Sequence, residues 1–194
     1  MTDEEFLVLN SVYLRKIASR RVVAECSALD DGTITAELER AAAAELVFDV
    51  GDGVFMLSED GTQAVLGEYR ARYADLRASG EVEAWYQRFE VLNSQFLTAI
   101  SAWQTDGAGD ESKLDKLLRL VERQVKALAS VADQIPRYAR YRTRFEQALD
   151  KVERGSTAHV VSPDVDSIHN IWFELHEDLL TVLGRPRDVA EAAG

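Results

Sequence analysis

A single cysteine, three histidines and no long apolar run set the first limits on this 194-residue chain. Cys26 alone excludes an intramolecular disulfide framework and a thiolate zinc site. Within VVAECSAL it reads as a small core residue, not a nucleophile. No segment approaches the ~20 apolar residues needed to span a bilayer, and no apolar stretch follows a basic N-terminal region. The expectation is a cytoplasmic protein without membrane contact. A glycine-rich phosphate loop is also missing, because Gly51-Asp52-Gly53 lacks both the spacing and the lysine. There is no GxSxG turn and no HExxH pattern; His176-Glu177 is followed by Asp178-Leu179-Leu180. Only His159, His169 and His176 could act as imidazole bases. No catalytic residue, cofactor or metal is expected.

What is present is the composition of a globular protein, 46% hydrophobic and 29% charged, long enough for one large or two small domains. The net charge of −12 is unevenly placed. Residues 1–65 hold thirteen Asp/Glu against five Lys/Arg, a net −8, and no Lys or Arg occurs between Arg40 and Arg70. Such a surface repels a polyanion, so DNA is disfavoured and neutral or basic surfaces are the expected partners. Simple solubility is the alternative reading of the same acid.

Helical spacing of Phe6, Leu9, Val12, Tyr13 and Ile17 predicts a first helix over 3–18, with Thr2 as its N-cap and acid in its first turn. Ser19 caps a second short helix over 22–28, which Asp30-Asp31-Gly32 ends as a turn. A third helix starts at Thr33 or Thr35 and turns Leu38, Ala42 and Leu46 to the core. Segments 47–50 and 54–57 flank Gly51-Asp52-Gly53 as a β-hairpin. Three helices and a hairpin predict a winged helix over residues 1–61. Beyond it every long segment is helical, so the fold class is mainly α, with an all-α bundle over 62–184 and a loose tail over 185–194. Its helices are expected at 62–79, 81–103, 113–132, 137–154 and 164–183, with loops at 105–112 and 155–163 and a break at Ile135-Pro136.

In winged helices that read DNA, basic side chains on the second helix of the pair and on the wing neutralise phosphates. Here those places carry Glu37, Glu39, Asp49 and Asp52 with a lone Arg40, a candidate surface for a protein partner. Arg137, Arg140 and Arg144 share a helical face and form a second such surface, suited to an acidic partner, to residues 30–60 of this chain or to a second copy in a homodimer. The last helix places His169, Phe173, His176 and Leu180 along one face, with Trp172 on another. The histidines are about two turns apart, ~10 Å, too far to grip one zinc ion unaided. Asn93 or Gln104 pairs with His169 or His176 across the bundle, or the same groups line a pocket walled by Trp103, Trp172 and Phe173.

The run from Trp85 to Gln104, the segment Ser167-Ile168-His169-x-x-Trp172-Phe173-Glu174-Leu175-His176-Glu177-Asp178-Leu179 and the N-terminal Met56-Leu57-Ser58-x-x-Gly61 together resemble an actinobacterial family of winged-helix proteins with a helical bundle, described as MarR-like or uncharacterised. Related segments of that family occur beside or fused to enzymes similar to phosphoenolpyruvate synthase and pyruvate phosphate dikinase. The resemblance implies a non-catalytic accessory or regulatory role as partner of such a phosphotransferase, since the chain has neither a swivelling phosphohistidine domain nor an ATP-grasp domain. The alternative is a MarR-like transcription regulator whose bundle dimerises and whose Trp/His cluster senses a ligand.

Overall fold

The computed structural model describes residues 1–106 and 110–185. Part of the expected 105–112 loop and nearly all of the expected tail lie outside the described residues. Among the described residues the protein is mainly helical, with ten helices and one three-stranded antiparallel sheet. The chain divides into two compact units, Met1–Ala78 with His176–Gly194, and Ser79–Leu175. The segment from 62 to 78, expected in the second domain, thus belongs with the N-terminal residues.

In the first unit, helix α1 (Asp3–Arg15) begins at a reciprocal cap: Thr2 accepts from the Glu5 backbone N–H, and the Glu5 carboxylate accepts from that of Thr2. A short strand β1 (Ala18–Ser19) follows, then helix α2 (Arg20–Ser27), capped by Ser19 as expected. Helix α3 (Asp31–Ala43) starts earlier than the threonines suggested. Asp30 is its N-cap, accepting from the Thr33 backbone N–H at 3.0 Å, so the Asp-Asp-Gly sequence opens a helix instead of ending one. The buried face carries Ile34, Glu37, Leu38 and Ala41; Ala42 is exposed and Leu46 half-buried.

Strands β2 (Val47–Gly51) and β3 (Val54–Leu57) form the expected hairpin, and β1 adds to its free side, giving the order β1-β3-β2. Asp52 and Gly53 both have positive φ, 55° and 68°, the conformation that a tight two-residue hairpin turn needs. The periodic segment expected as one helix is two, α4 (Glu59–Arg72) and α5 (Ala74–Ser79), with a break at Tyr73. Ser58 caps α4 by accepting from Gly61 N–H, while its own N–H donates to the Leu46 carbonyl. A Cβ at Gly61 would lie 2.0 Å from that carbonyl oxygen, so only glycine fits where α4 meets the start of the hairpin. This explains the Met-Leu-Ser-x-x-Gly sequence physically.

The second unit contains α6 (Glu81–Asp106), α7 (Glu111–Ala132) and α8 (Tyr138–Glu153), with α7 packed on both of the others. The break at Ile135-Pro136 is where it was expected. The loop after α8 holds one unexpected turn of helix, α9 (Ala158–Val161), and the last helix, α10 (Ile168–Leu183), starts four residues later than anticipated. On α6 the stripe Trp85, Phe89, Leu92, Phe96 and Ile100 is buried throughout, as its spacing predicts.

Candidate functional site

The Trp/Asn cluster of the second unit is built from α6, α8 and the first half of α10. Phe96 stacks on Trp172 with ring centroids 3.9 Å apart, Phe89 lies 5.8 Å from the same ring, and Phe145 meets it edge-on at 6.0 Å. The indole N–H of Trp172 donates to Asn93 Oδ1 at 3.0 Å. Asn93 is therefore paired with Trp172 and not with a histidine, because it needs a donor for its carbonyl and the indole reaches it in the buried layer. Trp172 is 1% exposed and Trp103 5%, so both rings serve as packing. Gln104 is exposed and takes no part. His169 and Phe173 are half-buried and in contact, 4.5 Å between ring centroids. Burial holds the His169 imidazole below its ordinary pKa, with the Asn170 side chain opposing. His176 is buried and falls in the first unit. Among the described residues no three His, Cys, Asp or Glu side chains stand together as metal ligands.

The most concentrated chemistry of this unit went unread in the sequence. Arg144, expected on a partner surface, is 2% exposed. Its Nε and Nη2 donate to the two oxygens of Asp166 at 2.8 and 2.7 Å, and its Nη1 and Nη2 to those of Glu174 at 2.6 and 2.8 Å. The guanidinium fork matches each carboxylate with two bonds. The face of Tyr141 lies 5.4 Å away. Arg144 shares a helical face with Arg137 and Arg140, but Glu174, thirty residues on, takes it inside. Arg137 and Arg140 are half-buried, and Arg137 lies over the Tyr138 ring.

In the first unit Glu37 likewise leaves the expected surface. It is 1% exposed, on the α3 face that also buries Ile34, Leu38 and Ala41. One oxygen pairs with Arg40, and Oε2 is buried without a hydrogen-bond partner among the described residues. Glu39, Arg40, Asp49 and Asp52 are exposed as expected. A second buried polar group joins α1, α4 and α10: the Tyr69 hydroxyl lies 2.7 Å from Asn10 Oδ1 and 2.8 Å from Asp178 Oδ1. Tyr13 beside it is held above its ordinary pKa by burial, against a hydrogen bond with Thr181, and the Glu177 and Asp178 carboxylates add to the rise. Asn10, a polar residue within Leu-Val-Leu-Asn-Ser-Val, was the one clue in the sequence.

The sheet carries the clearest outward feature. Its inner face presents Ala18, Val47 and Phe55, each 5% exposed or less. The alternate residues point outward: Phe48 pairs with Met56 across the strands, and the Ala18–Phe55 register brings Ile17 alongside Met56. These three are 48%, 40% and 55% exposed, and Val50, at the bulge between Asp49 and Gly51, is 52% exposed. An apolar row therefore crosses all three strands on the solvent side. Glu45, Asp49, Asp52, Glu59 and Asp60 are exposed around the hairpin, while Lys16 and Arg20 stand at the β1 side. No spanning helix competes for this reading: among the described residues none is long and apolar enough to cross a membrane. The chain matches no family model, no curated protein and no solved structure.

Proposed function

We propose that the chain is a non-catalytic interaction module: a winged helix whose sheet docks on a larger enzyme, followed by a helical bundle. The order helix, strand, helix, helix and hairpin supports the winged-helix reading of the first sixty residues. The observation that carries the docking is the exposed row Ile17, Met56 and Phe48, extended by Val50. Scattered surface apolar residues need no explanation, but three in a row on one face of a small sheet, with Val50 exposed at the adjoining bulge, resemble the apolar centre of an interface. The acid around the hairpin asks for a partner with a basic rim and works against a nucleic acid in the same place. The resemblance to proteins found beside phosphoenolpyruvate synthase-like enzymes makes such a phosphotransferase subunit the proposed partner, in the cytoplasm.

The test is recovery of the tagged protein from its host, with and without nuclease, beside a Phe48→Ser/Val50→Ser variant. Both side chains are about half exposed, so the variant keeps its thermal midpoint. One large enzyme recovered in near-equal amount, nuclease-resistant and lost in the variant, is the expected result. A reproducible promoter fragment in its place, released by salt, makes the protein a regulator and overturns the proposal.

A further inference from the structure

We propose a second binding site, in the groove between α6 and α7, for a small organic phosphate. The groove lies wholly in the second unit, measures about 810 Å³ and falls in the size range of small-molecule sites. Lys116, Arg119 and Arg123, spaced by three and four residues, bring three cations to one face of α7. Asp115 is the lone carboxylate among the lining residues.

The bland reading is a solvated amphipathic helix face, and the partners of the three cations weigh against it. Lys116 has no hydrogen bond or ion pair among the described residues. Arg123 donates to Gln95 Oε1 at 3.1 Å, a neutral amide that orients the guanidinium and leaves its charge uncompensated. Arg119 meets Asp115 at 3.7 Å with both side chains mostly exposed, a weak pair. A net positive groove results in a chain of formal charge −12. Ser94 from the α6 side and Ser112 from the first turn of α7 add hydroxyl donors to its wall. The aliphatic stems of the basic residues, over Leu120 at the floor of the groove, supply apolar surface for a carbon frame.

These donors outnumber what one carboxylate's two oxygens can accept. A phosphate monoester offers three terminal oxygens and close to two charges, which suits ammonium, guanidinium and hydroxyl donors together. The site is independent of the sheet face, and its failure leaves the partner reading untouched.

Calorimetric titration of the full chain at low salt with adenosine monophosphate, inorganic pyrophosphate and citrate tests it. Saturable binding of the two phosphate compounds is expected, weakened by about tenfold or more in Lys116→Ala/Arg119→Ala. Arg142→Ala, on exposed α8 surface, should bind as the parent does. Absence of saturable phosphate binding, equal binding by the double variant, or citrate bound as tightly as pyrophosphate would each overturn the proposal. Both replaced side chains are exposed, and an unchanged thermal midpoint separates lost binding from lost folding.

Discussion

Both units bury charge, but the first leaves an apolar row open on its sheet, whereas the second encloses most of its aromatic residues around a buried guanidinium. Residues of the first unit carry nineteen Asp/Glu against ten Lys/Arg, those of the second fifteen against twelve. In the first, Phe48, Val50 and Met56 are open while acid surrounds the hairpin. In the second, Trp172, Phe89 and Phe96 are enclosed, and the guanidinium of Arg144 sits among two carboxylates. A surface that exposes apolar side chains is suited to binding a partner, whereas a buried ion cluster makes the interior intolerant of change. The contrast separates where each unit can vary from where it cannot.

Arg144→Met should break the second unit most severely. It removes the guanidinium that makes two hydrogen bonds to each of Glu174 and Asp166, a loss of about 3 to 5 kcal/mol by analogy with broken buried pairs. Urea unfolding measures the total, and hydrogen exchange should show α8 deprotected before α1. A loss below ~1 kcal/mol would mean that the cluster is effectively solvated.

Gly61→Ala strikes the first unit where α4 meets the residue before the hairpin, with the new Cβ placed against the Leu46 carbonyl. Overpacking of this kind costs about 1 to 3 kcal/mol. Thermal unfolding is the readout, and an unchanged midpoint would show that α4 can shift away freely.

Gln124→Met should move stability the other way. Gln124 is fully buried on α7, and neither of its amide atoms has a hydrogen-bond partner among the described residues. Removing that unmet polarity at similar volume should gain roughly 1 to 2 kcal/mol. A loss on urea titration would show that the amide is satisfied in solution.

The smallest effect is acid sensitivity, and it has a cause in each unit. Thr33 holds the Asp30 carboxyl below its ordinary pKa through its hydroxyl and backbone N–H, so this cap stabilises above the unfolded carboxyl pKa and its contribution fades as pH falls through the folded value. His169 and His159 are both lowered, chiefly by burial, with Lys151 adding at His159. The unfolded chain therefore takes up protons first as pH drops below about 6.5, and stability declines from there toward the lowered folded values. Asp30→Asn should flatten the more acidic part of the thermal-midpoint profile, and His169→Gln the part near neutrality. A profile unchanged by either substitution would refute the assignment.

Local chemistry was legible along the chain. Thr2 and Ser19 were recognisable as caps, Asp52-Gly53 as a turn, the α6 stripe as a buried face and Ile135-Pro136 as a break, because each depends on residues within a turn or two of one another. The strand β1 was missed because two residues carry no periodicity, and the α3 start because Asp-Asp-Gly satisfies the rules for both a turn and a cap. Which polar groups lie inside could not be read the same way. Arg144 meets Glu174 thirty positions away, Trp172 meets Asn93 seventy-nine away, and Tyr69 meets Asp178 across one hundred and nine. By itself the sequence determined a mainly helical chain with an acidic first third and several of its caps and turns, since those follow from neighbouring side chains and summed charge. The tertiary structure alone decided that Arg144 and Glu37 are interior and that the apolar row of the sheet is open, because burial is set by whatever distant part of the chain packs there.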